Sequence, residues 1–173
     1  AFMVYSWFAP WWSAKVSVIP GEDHMVLHPW GIEAVAQVRA NADEALYSMP
    51  FPGLFAGFMW TYLAVCMLAL AASLFVTRQL SLGRFKLPLA VVLIGLVGLS
   101  YMAAVGLAYG IGEPKAGWAG ANFLGTSQIK NAMTGAKIKM VSDLQIGYWL
   151  ALGAGGVLVV LALLRGLFVG RPK

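Results

Sequence analysis

The stretch LFAGFMWTYLAVCMLALAASLFV, Leu54 to Val76, decides the fold class because it carries no charged side chain. Its ionisable groups are Tyr62 and Cys66 alone. The stretch exceeds the ~20 apolar residues that a helix needs to cross about 30 Å of hydrocarbon. A helix also satisfies its own backbone hydrogen bonds, as lipid requires. We therefore predict a transmembrane helix over residues 53–77.

Two further runs have the same character and predict spans over residues 87–111 and 146–165. Residues 1–12, AFMVYSWFAPWW, are apolar too, but at ~1.5 Å per residue they are too short to cross the bilayer alone. We expect them to be the last turns of a span whose upstream part is missing, or a processed end that dips into the bilayer. The fold class predicted is all-α, a polytopic membrane protein of four-span topology forming one domain.

Composition agrees with this class. Hydrophobic residues make up 60% of the chain and charged residues 11%, against roughly 25% charged residues in a soluble domain. The net charge of +5 is explained by basic residues next to anionic lipid rather than by nucleic-acid binding. The single cysteine excludes an intrachain disulfide and a cysteine-ligated zinc site.

Basic residues in the short loops predict the orientation. The segment 78–86 carries Arg78, Arg84 and Lys86 without an acid, and the tail 166–173 is also basic. The positive-inside rule places both in the cytoplasm, most simply of a prokaryote whose inner (plasma) membrane holds the protein. Residues 13–52 and 112–145 then face outside.

Each of these two outer loops is predicted to contain a short amphipathic helix. In the first, Ile32, Val35 and Arg39 fall at helical spacing, which favours a helix over roughly 31–47. In the second, Ile129, Met133 and Met140 do the same within TSQIKNAMTGAKIKM, residues 126–140. The first loop is net acidic and the second net basic, so the loops should dock on each other, although each exposed ion pair contributes only ~0–1 kcal/mol. The alternative is that the basic helix of the second loop meets an acidic partner chain.

The stretch GEDHMVLHPWG, Gly21 to Gly31, holds both histidines of the chain. On a helix His24 and His28 would share a face, and Asp23 could add an oxygen ligand. Imidazole suits copper and zinc. The alternative is that these histidines make hydrogen bonds within a folded loop, since Gly21 and Pro29 bracket a segment too short for a stable helix.

The predicted spans lack the residues that most membrane chemistry needs. No span contains His, so a b-type haem held between helices of this chain is not expected. Except for Arg165 near an end, none contains Asp, Glu, Lys or Arg, which disfavours a self-contained pump. No phosphate loop, nucleophile elbow or HExxH motif occurs. We expect no catalytic residues within the chain.

Small residues four apart recur in the spans and predict close helix packing. The pairs are Gly53 and Gly57, Gly106 and Gly110, Ala151 and Gly155, and Gly166 and Gly170.

The run SWFAPWW at a span end, the long outer loop with Trp30-Gly31, and the three spans that follow resemble the layout of four-span claudin-like proteins. The likeness covers topology alone. Because the cysteine pair of the claudin loop is missing, no residue or function is carried over.

Three functions stay open on the sequence. The first is a subunit or assembly partner of a larger membrane complex, whose partners are other membrane subunits and the lipid bilayer. The second is copper or zinc handling outside the cell through Asp23, His24 and His28. The third is a channel or carrier for an uncharged or lipidic ligand, since such a path needs no charge.

Overall fold

The computed structural model describes residues 1–21, 23–41, 44, 47, 52–82, 85–118, 120–131 and 134–169. Its elements, in chain order, are α1 (Phe2–Phe8), β1 (Trp12–Val16), β2 (Met25–His28), β3 (Gly31–Ala34), α2 (Ala36–Asn41), α3 (Pro52–Phe75), β4 (Gln79–Leu82), β5 (Phe85–Pro88), α4 (Leu89–Trp118), β6 (Gly125–Lys130), β7 (Lys137–Leu144) and α5 (Ile146–Val169).

Three helices are long and apolar enough to cross a membrane, as the sequence predicts. They are α3, α4 and the Ile146–Gly166 part of α5. The helix α4 is longer than predicted, because it continues past residue 111 to Trp118 with Pro114 inside it. Proline removes one backbone donor but does not prevent the helix from continuing.

The prediction of an all-α fold is wrong. Five strands form an antiparallel sheet in the order β3-β2-β1-β7-β6, and a second sheet pairs β4 with β5. The chain is therefore a mixed α/β protein. The central pair joins the two ends of the sequence, with Trp12 opposite Leu144 and Val16 opposite Met140.

The helix predicted over residues 126–140 is a β-hairpin of β6 and β7, with Ile129 opposite Ile138. Along KIKMVSDL of β7, buried and exposed side chains alternate strictly from Lys137 to Asp143. That period of two is the pattern of a strand with one face buried. Gly135, with φ +69°, lies in the connection, where glycine adopts this backbone conformation at no steric cost.

The helix predicted over residues 31–47 is also largely wrong. Its first part is β3, which pairs with β2 so that His28 lies opposite Gly31 across the two-residue turn Pro29-Trp30. Of the described residues in this range, those of α2 are α-helical and Glu44 lies in a 3₁₀ turn, while residues 42, 43, 45 and 46 lie outside the described residues. The first residues of the predicted helix instead form the second strand of the β2–β3 hairpin.

Chain order places the five-stranded sheet at one end of the three long helices. Strands β1, β2 and β3 come before the start of α3, and strands β6 and β7 connect the end of α4 to the start of α5. The β4–β5 hairpin joins α3 to α4 at the opposite end. Two hydrophobic cores result. One lies on the sheet around Trp12, Met25 and Met140, and the other lies among the helices around Trp7, Trp11 and Tyr101.

The junction between sheet and helices is held by backbone contacts. The Gly147 N–H donates to the Pro10 carbonyl at 3.0 Å, and the Gln145 N–H donates to the Trp11 carbonyl at 2.9 Å. A Cβ built on Gly147 would lie 2.5 Å from the Pro10 oxygen. Glycine is thus required where α5 leaves the sheet, and this fixes the sheet over the helices.

Candidate functional site

An apolar cavity of about 570 Å³ lies between α3, α4 and the five-stranded sheet. We call it the α3–α4 slot. Along α4 its lining residues run from Ser100 to Lys115 and Ala116, and fifteen residues of helix correspond to about 22 Å. The slot is therefore elongated along the helices. We call the part near Lys115 its sheet end and the part near Ser100 its deep end.

Small side chains on α4 create the space. Residues four apart lie on one helix face, and the series Ser100, Ala104, Ala108, Gly112 and Ala116 faces the slot. These small side chains leave space between α4 and the side chains of α3 that line the slot. The sequence places the gap on this face of α4.

Aromatic and sulfur side chains of α3 form the opposite wall. Phe55, Phe58, Met59 and Tyr62 line the slot, and their spacing is that of one helix face. They present an apolar surface to whatever occupies the slot.

The sheet covers one end of the slot with stacked rings. The Trp12 and Phe123 rings are parallel, with centroids 5.5 Å apart, and Trp12 Nε1–H donates to the Phe123 carbonyl at 2.6 Å. A Cβ on Gly112 would lie 2.5 Å from the Phe123 ring. The missing side chain at Gly112 therefore lets this aromatic pair rest directly on α4.

At the deep end two hydroxyl groups bond each other. The Tyr62 and Ser100 oxygens are 3.0 Å apart, and Ser100 Oγ–H donates to the Val97 carbonyl at 3.0 Å. The Tyr62 O–H is then the donor to Ser100. Both hydroxyl donors already make hydrogen bonds within the protein, so a ligand needs no polar group at this end.

The sheet end carries the slot's other polar side chains, His28 and Lys115. The His28 ring stacks on Trp30 with centroids 4.7 Å apart. Among the described residues His28 Nδ1 is buried without a hydrogen-bond partner, which is costly in a folded protein. This nitrogen has almost no accessible surface, so it offers no hydrogen bond to a ligand in the slot.

The residues predicted to bind metal are not brought together. His28 is the last residue of β2 and His24 directly precedes that strand, so the two are not on a helix, and four residues of extended chain span about 13 Å. His24 is buried, and its Nδ1 accepts the Val16 N–H at 2.8 Å while Nε2 lies 3.4 Å from the Pro20 carbonyl. Asp23 is exposed with φ +55°.

Within the described part of the chain no three His, Cys, Asp or Glu side chains are grouped closely enough to hold a metal ion. Both His24 nitrogens already face backbone groups, which leaves no lone pair for a metal in this arrangement. The copper or zinc site stays a prediction without support from the geometry.

The predicted packing glycines divide into two groups. Gly155 lies in the α4–α5 contact, where an added Cβ would be 2.6 Å from Met102 Cγ. Ala151 is fully buried, and a Cβ on Gly166 would make ordinary contact with Val91. The others have no described neighbour within 4 Å of an added Cβ: Gly53, Gly57, Gly106 and Gly110. Gly170 lies outside the described residues.

The sequence prediction missed the partner of Gly155. A Cβ on Gly98 would lie 2.9 Å from both the Gly155 oxygen and Leu158 Cβ. Gly98 has no small residue four positions away, since Ile94 and Met102 occupy those positions, so spacing alone does not identify it. The slot face of α4 was also missed, although its small residues at every fourth position were visible in the sequence.

A second, smaller cavity of about 310 Å³ lies on the sheet, with Val38, Ile129 and Ile138 among its lining residues.

Comparisons with protein-family models, curated proteins and solved structures gave no match to this chain. An apolar cavity with a few polar groups at one end is the usual form of a small-molecule binding site.

Proposed function

We propose that this chain is an integral membrane protein that holds a lipidic ligand in the α3–α4 slot. The observation that supports this most directly is the slot itself. It is walled by two apolar helices and has a volume of about 570 Å³, within the ~300–1,000 Å³ typical of ligand sites. A channel or carrier for such a ligand is the sequence-based alternative that this proposal develops.

The chemistry of the walls favours an acyl chain over a polar solute. Rings and methyl groups from Phe55, Phe58 and Leu107 line the slot, and the deep hydroxyl pair is already bonded. A sugar or an ion entering here would lose its water without compensating bonds. An acyl chain gains free energy by the same burial and reaches the slot directly from the bilayer.

The test fills the slot without touching its polar groups. In Ala104→Phe a ring takes the space beside the small-residue series, and we expect the variant to retain far less lipid than wild type. Native mass spectrometry of protein purified in a mild detergent measures the bound lipid.

The matched control is Ala71→Phe, because Ala71 is an exposed residue of α3 that does not line the slot. It should retain lipid like wild type. Equal lipid content in all three proteins would contradict the proposal.

We further propose that the sheet lies on the outer side of a plasma membrane and the β4–β5 hairpin in the cytoplasm. Arg78 and the basic positions 84 and 86 of the connecting segment support this orientation by the positive-inside rule. A prokaryotic inner membrane is the membrane to which that rule applies most directly.

A second candidate function is that of a subunit in a larger membrane complex, with other membrane chains as partners. The faces at Gly53 and Gly57 on α3 and at Gly106 and Gly110 on α4 meet no described neighbour. Pairs of small residues allow a second helix to approach closely. These faces differ from the one that lines the slot, so both functions are compatible.

The test is purification from native membranes. We expect a co-purifying chain, and Gly106→Leu should release it because the added side chain blocks close approach. Val160→Leu, on an exposed position of α5, is the control and should keep the partner. A stable monomer without any co-purifying chain would show that this second proposal is wrong.

A further inference from the structure

We infer that the outer edge of β6 binds an acidic, extended segment of a partner protein, which adds to the five-stranded sheet as a sixth strand. The carboxylates of that segment lie over the lysines of the β6–β7 hairpin. This inference goes beyond lipid binding in the α3–α4 slot, because none of the described residues that line the slot belongs to β6. The two proposals can therefore fail independently.

The first observation is the open edge of the sheet. The strand order places β6 at one edge, and among the described residues β7 alone pairs with it. The Asn131 N–H donates to the carbonyl of the opposite residue, Ala136, at 2.8 Å, which identifies the hydrogen-bonded pairs of this hairpin. Because such pairs alternate along antiparallel strands, Thr126, Gln128 and Lys130 direct their backbone groups away from β7. Groups of this kind are the donors and acceptors that an added strand uses.

Two further hydrogen bonds agree with this alternation. The Asn122 side chain donates to the Thr126 carbonyl at 3.1 Å, so that oxygen faces away from β7. On β7, the Lys139 carbonyl accepts the Ser17 N–H at 2.9 Å. Lys139 lies opposite Gln128 and thus directs its backbone to the far side, leaving the backbone of Gln128 at the centre of the open edge.

Three exposed lysines determine the charge of the partner. Lys130 and Lys137 lie directly opposite each other in a non-hydrogen-bonded pair, the kind whose side chains are closest. Like charges in this arrangement destabilise the pairing, and Lys139 adds a third charge two residues along the same face. Residues 114–142 contain no Asp or Glu. A carboxylate placed beside Lys130 and Lys137 would relieve this repulsion.

Protection of the edge explains only one of these lysines. A lysine on an edge strand discourages pairing with another copy of the same strand, and Lys130 can serve that purpose. Lys137 and Lys139 lie on β7, which has β1 on its other side, and so protect no edge. An acidic partner accounts for all three, whereas the β6 strand of a second copy would bring a further lysine to the same place.

The cavity on the sheet predicts the other side chains of the partner segment. Successive residues of a strand face opposite sides of the sheet, and Ile129 is buried on the face opposite to that of Lys130. The cavity of about 310 Å³ is lined by the buried side chains of Val38, Ile129 and Ile138 and also reaches Lys130. An added strand would place every second side chain on that face. We therefore expect acidic and apolar residues to alternate in the partner, since pockets for alternate side chains give such strands their specificity.

The experiment measures peptide binding to purified full-length protein in phosphatidylcholine nanodiscs by fluorescence anisotropy. The probe is the fluorescein-labelled peptide TEVEVEVT, and the controls are TQVQVQVT, TKVKVKVT and TESESEST. We expect the probe to bind about tenfold more tightly than the uncharged peptide, since several weak exposed charge pairs act together. The basic peptide should not bind, and the peptide with serine should bind more weakly than the probe.

Substitutions on β6 and β7 separate strand addition from attraction by charge. Gln128→Pro removes the outward N–H donor and leaves the hydrogen bonds between β6 and β7 in place. It should abolish binding of the probe, while Gln128→Thr, the matched control, should bind it like wild type. Lys130→Glu combined with Lys137→Glu should reverse the preference, so that TKVKVKVT binds and TEVEVEVT does not. This reversal is measured without the proline variant and so does not depend on its folding.

Equal binding of the acidic and uncharged peptides to wild type overturns the inference. Binding of the probe to Gln128→Pro as tightly as to wild type also overturns it, because the lysines would then attract any polyanion without strand addition. A preference for the acidic peptide that survives both Glu substitutions has the same consequence. Absence of binding by every peptide overturns it as well. A wild-type dimer in detergent that Gln128→Pro makes monomeric would then identify a second copy as the occupant of the edge.

Discussion

Gly98 and Gly155 set how closely α4 and α5 approach. A Cβ on Gly98 would lie 2.9 Å from the Gly155 carbonyl oxygen and 2.9 Å from Leu158 Cβ. A backbone oxygen cannot move aside without shifting the helix. We predict that Gly98→Ala destabilises the protein by roughly 1–3 kcal/mol, as overpacked cores are destabilised. The unfolding temperature in detergent measures the effect.

The control is Gly106→Ala on the same helix, where an added Cβ meets no described neighbour within 4 Å. Alanine is the better helix former by about 1 kcal/mol, so this variant should be as stable as wild type or more stable. If both variants unfold at the same temperature, the close contact at Gly98 does not exist.

His24 has two interpretations, as a metal ligand or as a residue that makes hydrogen bonds within the fold, and a substitution distinguishes them. It is 2% exposed and accepts the Val16 N–H at 2.8 Å. In His24→Phe that buried N–H loses its partner, which costs about 1–3 kcal/mol. We predict a lower unfolding temperature for this variant and no effect of a chelator on wild type. Stoichiometric copper or zinc in wild type, lost in His24→Phe, would instead establish a metal site.

The long helices were predictable and most strands were not, for a physical reason. An uncharged run such as Leu54–Val76 has one favourable structure in lipid, so composition alone predicts α3. The strand β7 shows an alternating pattern of its own, but Ile129 of β6 and Met140 of β7 also fit helical spacing. The pairing of Trp12 with Leu144 joins distant parts of the chain, and no local pattern reports it. The slot depends on which faces of α3 and α4 meet. The sequence shows the row of small residues on α4, but it does not show which face of α3 lies opposite them.

The pairing of β1 with β7 can be tested by crosslinking, because Lys15 lies opposite Val141 and both side chains are exposed. Directly opposed residues in antiparallel strands have Cα atoms about 4.5–5.5 Å apart, a separation that a disulfide spans. We predict that Lys15→Cys combined with Val141→Cys forms a disulfide under mild oxidation. Non-reducing electrophoresis detects it, and the single natural cysteine, Cys66, is buried.

The control pair places the second cysteine at Lys137, four residues along β7 and about 13 Å from the paired position. It should stay reduced under the same conditions. Rapid crosslinking of Lys15→Cys with Lys137→Cys, and none with Val141→Cys, would show that β1 does not pair with β7 in this register.

At the scale of the whole molecule, the two ends of the helical layer differ in structure and charge. The five-stranded sheet covers one end and contributes His28 to the lining of the slot. The other end has the short β4–β5 hairpin with its basic segment. If the hairpin lies in the cytoplasm, the sheet end of the slot opens at the outer leaflet. The leaflet that supplies the ligand thus follows from the orientation.

The orientation is predicted to leave position 128 accessible from outside and position 78 accessible only from the cytoplasm. Gln128 on β6 and Arg78 next to β4 are both exposed, so neither substitution disturbs a core. In intact cells a membrane-impermeant maleimide should label Gln128→Cys, whereas Arg78→Cys should react only after lysis. Wild type is the control, since its Cys66 is buried. The reverse pattern would place the sheet in the cytoplasm, and a ligand entering at the sheet end would then come from the inner leaflet.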